Sequence, residues 1–275
     1  MNLNIKSSKT LNNDVNIPIF GLGTYLNDNG QQTIDTILYA LEIGYRHIDT
    51  AAMYENEREI GAAIREADIP REEIFVTTKL WNSDHGYDNT LRAFHSSLDL
   101  LGLDYVDLYL IHWPVENLRL ESWQALEKLY NEGLCKSIGV SNYMERHLEE
   151  LLDNSSVIPA VNQVEFSPFL YLKELQNYCQ TKGIALESYS PLTKGDKLKD
   201  SNLTDIASRY NKSTSQILVR WCLQKGVIVI PKSSQKEHIK ENADVFDFNI
   251  SETDMIELDN LNENYHSSWD PTNVL

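Results

Sequence analysis

The feature that most restricts this chain is an eightfold alternation of short β-branched runs with amphipathic helical stretches. Residues 17–22, 46–49, 74–79, 106–112, 137–141, 160–165, 185–189 and 227–230 are each short, rich in Val and Ile and bounded by polar or turn residues. They read as buried strands. Helical spacing appears over 32–41, 90–101, 122–131, 147–152, 173–181, 213–224 and 253–261. In the first of these, Ile34, Ile37, Leu38 and Leu41 fall at i, i+3, i+4 and i+7, one face of a helix. Thr90, Ser122 and Ser213 stand where N-caps are expected. Eight strands alternating with helices are the arithmetic of an α/β fold of the (β/α)8 TIM-barrel type, taken as one domain over residues 1–275. A doubly wound sheet is the competitor, but Gly21-Leu22-Gly23-Thr24-Tyr25-Leu26 after the first strand lacks the third glycine of a GxGxxG turn. The opening segment, 1–17, reads as a hairpin with Asn12-Asn13-Asp14 at its turn, plugging the bottom of the barrel.

In such a barrel chemistry belongs to the C-terminal strand ends. The second strand ends in Asp49, with Tyr54 just beyond it, the third in Lys79 and the fourth in His112. His112 is in register with Leu108 and Leu110, and Lys79 with Phe75 and Thr77, so period two points both toward the barrel axis. A free tyrosine is a weak acid at neutral pH, and a nearby ammonium favours its phenolate. A buried ammonium in turn needs a carboxylate beside it. Asp49, Lys79 and Tyr54 are therefore expected to work as a relay in which Lys79 lowers the Tyr54 pKa. His112 would donate to the same substrate oxygen. Such a set protonates a carbonyl oxygen while hydride arrives at carbon.

Composition narrows the partners. With 41 acidic against 24 basic residues the net charge is −17, which argues against nucleic acid or an anionic membrane. No apolar run approaches the roughly 20 residues of a spanning helix. The start, Met1-Asn2-Leu3-Asn4-Ile5-Lys6, lacks a secretory pattern. Cys135, Cys179 and Cys222 are odd in number and widely spaced, which fits reduced thiols rather than a disulfide framework or a metal site. A cytoplasmic monomer acting on a small molecule is the expectation, with no metal.

These segments resemble the aldo-keto reductases. The resemblance is carried by Gly44-Tyr45-Arg46-His47-Ile48-Asp49-Thr50-Ala51-Ala52-Met53-Tyr54-Glu55-Asn56-Glu57, by Lys79-Leu80-Trp81-Asn82 and by the run 103–114 ending in Ile111-His112-Trp113-Pro114. Gly139-Val140-Ser141-Asn142-Tyr143, Asn162-Gln163-Val164-Glu165, Tyr189-Ser190-Pro191-Leu192 and Ile230-Pro231-Lys232-Ser233 extend it in order over most of the chain. The nearest flavour is the small bacterial, yeast and plant-type branch that includes diketogluconate and glyoxal reductases. The resemblance implies an NAD(P)H-dependent carbonyl reductase with Tyr54 as acid, Asp49 and Lys79 tuning it and His112 orienting the carbonyl. It implies that Ser141, Asn142 and Gln163 hold the nicotinamide carboxamide and that Tyr189 stacks on the ring. Ser190 and Leu192 would lie along the pyrophosphate, and Lys232 and Ser233 at the adenosine phosphate. Glu241 and Asn242 would lie near the adenine, and Gly23 and Thr24 would complete the cofactor set.

One departure bears on the cofactor. His238 stands where the family usually carries an arginine before Ile-x-Glu-Asn, and imidazole lacks the planar fork suited to a 2′-phosphate. NADPH is expected, with use of NADH as a further expectation. Tyr25, where relatives often have tryptophan, changes the pocket rim. Residues 193–202 are expected to form a short partial lid. Trp269, in the tail 262–275, is expected either to fold over the pocket or to stand exposed. With Tyr25, Trp81 and Trp113 it would make an aromatic, open pocket suited to small aldehydes, α-dicarbonyls or aryl aldehydes. Two other functions compete: a metal-dependent barrel hydrolase built on His47, Asp49 and His112, and a barrel that binds the cofactor without turnover.

Overall fold

A computed structural model describes residues 3–274; Met1, Asn2 and Leu275, the outermost residues of the expected hairpin and tail, lie outside it. Strands β1 (Ser8–Thr10) and β2 (Asn16–Pro18) pair antiparallel, with Lys9 opposite Ile17. The turn between them closes through Leu11 N–H to Val15 O at 2.8 Å, and Asp14 takes the left-handed conformation that a short polar side chain tolerates.

Eight parallel strands follow in chain order: β3 (Leu22–Gly23), β4 (His47–Asp49), β5 (Phe75–Leu80), β6 (Val106–Ile111), β7 (Cys135–Ser141), β8 (Val161–Glu165), β9 (Ala185–Tyr189) and β10 (Ile228–Val229). Bridges from Phe20 to Val229 and from Gly23 to Lys232 join the last strand to the first and close the barrel. Closure requires a glycine at 23: a Cβ there would lie 2.9 Å from the Ile230 carbonyl oxygen.

Period two sorts the side chains into two cores. Phe75, Leu108, Leu110, Val161, Ala185 and Ile228 fill the barrel, while Val76, Leu80, Tyr109, Ile111 and Val140 face the helices. Leu11 and Ile17 of the hairpin join the inner group. Lys9 Nζ reaches Gly226 O at 2.9 Å, Asn12 Nδ2 reaches Pro159 O at 3.0 Å and Asn13 Nδ2 reaches Lys136 O at 3.0 Å. All three acceptors lie at or near the N-terminal ends of barrel strands. The hairpin therefore plugs the bottom, as expected.

Ten helices are present among the described residues: α1 (Gln31–Glu42), α2 (Glu57–Glu66), α3 (Tyr87–Leu101), α4 (Arg119–Asn131), α5 (Glu145–Asp153), α6 (Lys173–Thr181), α7 (Ser201–Tyr210), α8 (Thr214–Gln224), α9 (Lys236–Ala243) and α10 (Glu252–Asp259). Three depart from the sequence expectation by existing at all: α2, α7 and α9. Each is eight to ten residues long and carries two to five buried positions, no fewer than the similarly short α6 and α10, which helical spacing does mark. Ser213 caps α8 in a reciprocal box with Gln216. Thr90 and Ser122 do not cap; their helices start one turn earlier. Ser122 Oγ instead accepts the Gly86 N–H at 2.9 Å, tying α4 to the start of α3. The first expected strand, 17–22, is divided. Pro18 has no N–H for a central ladder, so residues 16–18 belong to the hairpin, and the barrel strand proper is β3.

Candidate active site

The C-terminal strand ends converge on a cavity of about 730 Å³. At its floor Lys79, fully buried on β5, donates from Nζ to Asp49 Oδ1 at 2.7 Å, to Thr50 O at 2.8 Å and to the Tyr54 hydroxyl at 3.5 Å. Asp49 is the last residue of β4, and Tyr54 sits on the single 3₁₀ turn that follows it, Ala52–Tyr54. Thr24 Oγ1 holds the Asp49 carbonyl at 2.9 Å, and Asn56 bridges Thr24 O and Thr50 Oγ1, so that loop is fastened from below. His112 follows β6 and meets the Tyr54 ring edge-on at 5.7 Å between centroids. The structure thus brings Asp49, Tyr54, Lys79 and His112 together.

The electrostatics differ from expectation in one respect. Burial pushes the Tyr54 phenol well above its ordinary value, and the Asp49 charge and then Tyr25 add to the shift. The expected lowering by Lys79 is not the direction of this ground state, because desolvation of a phenolate outweighs the ammonium 3.5 Å away. Tyr54 is held protonated, the state required of a proton donor. Burial, with Lys79 second, holds His112 well below the usual histidine range, so it is neutral; its Nδ1 is buried with no partner among the described residues. Burial raises Asp49, with Lys79 and Gln163 opposing that shift.

The other expected residues divide into wall and scaffold. Gly23, Asn142, Gln163, Tyr189, Ser190, Leu192, Lys232, Ser233, His238, Glu241 and Asn242 line the cavity. Ser141 and Thr24 do not: Ser141 Oγ donates to Gln163 O at 2.8 Å, and both hydroxyls are committed to neighbouring backbone. Asn142 bonds His112 O at 3.0 Å through Nδ2 and accepts the Tyr189 hydroxyl at 2.8 Å, which fixes the half-buried Tyr189 ring. Gln163 Nε2 reaches Asp49 Oδ2 at 2.7 Å and Glu187 Oε1 at 3.0 Å. The expected lid is partly helical. After left-handed Ser190, a 3₁₀ turn over Thr193–Gly195, in which Thr193 and Lys194 are also left-handed, leads to Asp200, which caps α7, so Asn202 lies inside that helix.

At the mouth, Tyr25 packs against Tyr54 at 5.1 Å, Trp81 against His112 at 5.2 Å and Trp269 against Trp113 at 4.9 Å. Trp269 lines the cavity and is 59% exposed. Met53, Leu26, Lys194 and Leu198 also line the cavity. Sequence reasoning missed the first two, although Met53 adjoins Tyr54 and shares its turn. It also missed Glu187, which period two places on the same face of β9 as Tyr189.

Several observations fit a dinucleotide. The groove is too long for a small carbonyl alone, running from His112 to Asn242. An aromatic face lies on its floor, lysines 194 and 232 lie beside it, and the side-chain amide oxygen of Gln163, Oε1, accepts no hydrogen bond from the described residues. No group of three His, Cys, Asp or Glu among the described residues is arranged to hold a metal. His47 points instead to Thr77 Oγ1 at 3.1 Å, and burial lowers its pKa to about 3.

Residues 19–263 match the sequence profile of the Aldo/keto reductase family. The chain is 48% identical over 275 residues to a protein named glyoxal reductase from Bacillus subtilis, spanning 100% of both chains. Its fold superposes with TM-score 0.94 on the crystal structure of an aldo-keto reductase from a Medee basin deep-sea metagenome library, at 46% identity and covering 97% of this chain and 99% of that one. A Bombyx mori aldo-keto reductase solved in complex with NADP gives TM-score 0.88 at 37% identity, covering 95% and 94%.

Proposed function

Because the chain belongs to the aldo/keto reductase family and is an NAD(P)H-dependent oxidoreductase, we propose that it reduces small aldehydes, α-dicarbonyls or ketones with Tyr54 as the proton donor. The observation that carries this reading is the buried Lys79, bonded to Asp49 and set 3.5 Å from the hydroxyl of a protonated Tyr54. When bound, the reduced nicotinamide supplies hydride to the carbonyl carbon. Tyr54 then gives its proton to the carbonyl oxygen, and the phenolate left behind meets the Lys79 ammonium. Asp49 pairs with that ammonium at 2.7 Å and offsets the cost of burying it. Neutral His112 orients the carbonyl by hydrogen bonding. Asn142 and Gln163 would hold the carboxamide, with Ser141 acting from behind Gln163, and Tyr189 would lie against the nicotinamide ring.

Lys232, Ser233 and His238 stand at the far end of the groove, which supports NADPH as the preferred cofactor. His238 is exposed and offers no guanidinium fork, which supports a modest preference and real turnover with NADH. The aromatic mouth supports small, flat or aryl carbonyls. The relative named glyoxal reductase points the same way. Three buried, unpaired cysteines fit a reducing compartment, and we place the protein in the cytoplasm as a monomer.

The test is loss of NADPH absorbance with methylglyoxal and with an aryl aldehyde, alongside NADH. Wild-type protein should turn over with both cofactors. Tyr54→Phe should lose roughly 10²- to 10⁴-fold in kcat with its cofactor Kd unchanged. Near wild-type kcat in that variant would refute the assigned acid, and a steep preference for NADPH would refute the role given to His238.

A further inference from the structure

Glu187 contacts no part of the proposed reaction, yet it lies fully buried inside the barrel, two residues before Tyr189. An apolar residue would fill that volume without desolvating a carboxyl group, and Glu187 Oε2 has no partner. Lys79 attracts it only through space, since its ammonium bonds to Asp49, Thr50 and Tyr54. Among the described residues, the one hydrogen bond of the Glu187 side chain is to Gln163. That amide has two N–H groups: one goes to Asp49 Oδ2 at 2.7 Å, the other to Glu187 Oε1 at 3.0 Å. With both donors taken on one side, the planar amide turns its oxygen to the other. Gln163 lines the cavity, and that oxygen accepts nothing from the described residues.

We propose that Glu187 is a positioning residue for the nicotinamide end of the cofactor site. By accepting the second N–H of Gln163 it keeps that carbonyl oxygen facing the cavity, ready to accept an N–H of the dinucleotide's carboxamide. Asp49 alone is a weaker constraint. It engages one N–H and leaves the other free to turn toward the cavity, where it would meet the carboxamide N–H donor to donor. The inference rests on the cofactor reading above and extends it to a residue that touches no ligand.

NADPH titrations followed by protein fluorescence test it in wild type, Glu187→Gln, Glu187→Met, Gln163→Ala and the Glu187→Met/Gln163→Ala double variant. Glu187→Met should raise Kd roughly threefold to tenfold, as loss of one oriented hydrogen bond does. Glu187→Gln, whose carbonyl still accepts, should stay within about twofold of wild type. The double variant should bind no more weakly than Gln163→Ala alone. A purely structural role would lower stability but would make the two losses multiply. Multiplying losses, or wild-type affinity in Glu187→Met, would overturn the proposal. Should Glu187→Met not fold, NMR of the wild type decides: both protons of the Gln163 side-chain amide, identified by their absence in Gln163→Ala, should be protected from exchange. One freely exchanging proton would overturn it. Wild-type protein that binds neither NADPH nor NADH would overturn the cofactor reading and this inference with it.

Discussion

Lys79 and Asp49 show how a single buried pair serves stability and chemistry together. Both are almost fully buried, and each is tolerable there only because of the other. Lys79→Met would leave Asp49 holding one hydrogen bond, from Gln163, against full desolvation. Its stability in urea should fall by about 3–5 kcal/mol at neutral pH, the usual cost of orphaning a buried charge. The sign with pH follows from Asp49. Its folded pKa is already raised and rises further without the cation, so the deficit should shrink as pH falls and the carboxyl takes a proton. Lys79→Met/Asp49→Asn should recover much of the stability and none of the turnover. A single variant as stable as wild type would show that water reaches Asp49.

At the scale of elements, the tail fastens two parts of the cavity at once. Glu165, ending β8, accepts the Ser267 N–H at 2.8 Å and the Ser268 N–H at 3.1 Å, and the Ser267 hydroxyl also bonds to it. Lys194 Nζ reaches Ser267 O at 2.7 Å, and Tyr265 reaches Asp196 at 2.7 Å. The tail thereby carries Trp269 to Trp113 and also holds the 193–198 segment along the groove. These two jobs separate by mutation. Trp269→Ala should raise the KM for an aryl aldehyde roughly threefold to tenfold, the scale of one aromatic contact, and leave NADPH release unchanged. A chain ending at Asn264 should show the same KM and also release NADPH faster in stopped flow. Unchanged release from the truncated chain would mean that the segment holds its place without the tail.

Across the whole molecule, the hairpin plug and the proposed site occupy opposite ends of the barrel. The hairpin closes the bottom with Leu11 and Ile17 packed among Phe75, Leu108, Leu110 and Ile228, while every residue of the proposed site lies at or near the C-terminal strand ends. Leu11→Ala should cost about 2–4 kcal/mol of stability by opening a cavity in the inner core, with kcat/KM within about twofold of wild type at temperatures where the variant stays folded. A large loss of kcat/KM under those conditions would show that the plug shapes the upper end as well.

The alternation of apolar runs was enough to read the barrel, and period two was enough to aim Lys79 and His112 at its axis, because both are local consequences of backbone geometry. Residue type and strand end likewise made the Asp, Tyr, Lys and His set legible. The short helices α2, α7 and α9 were not; they bury no fewer positions than α6 and α10, so spacing alone does not separate such short helices from loops. Nor was the direction of the Tyr54 shift, which depends on how completely the folded chain excludes water from that phenol. Ser122 is bonded across to Gly86, Glu187 shares one amide with Asp49, and Glu165 grips a tail about a hundred residues away. Such partners are set by distance in space, and only the closed barrel brings them within reach.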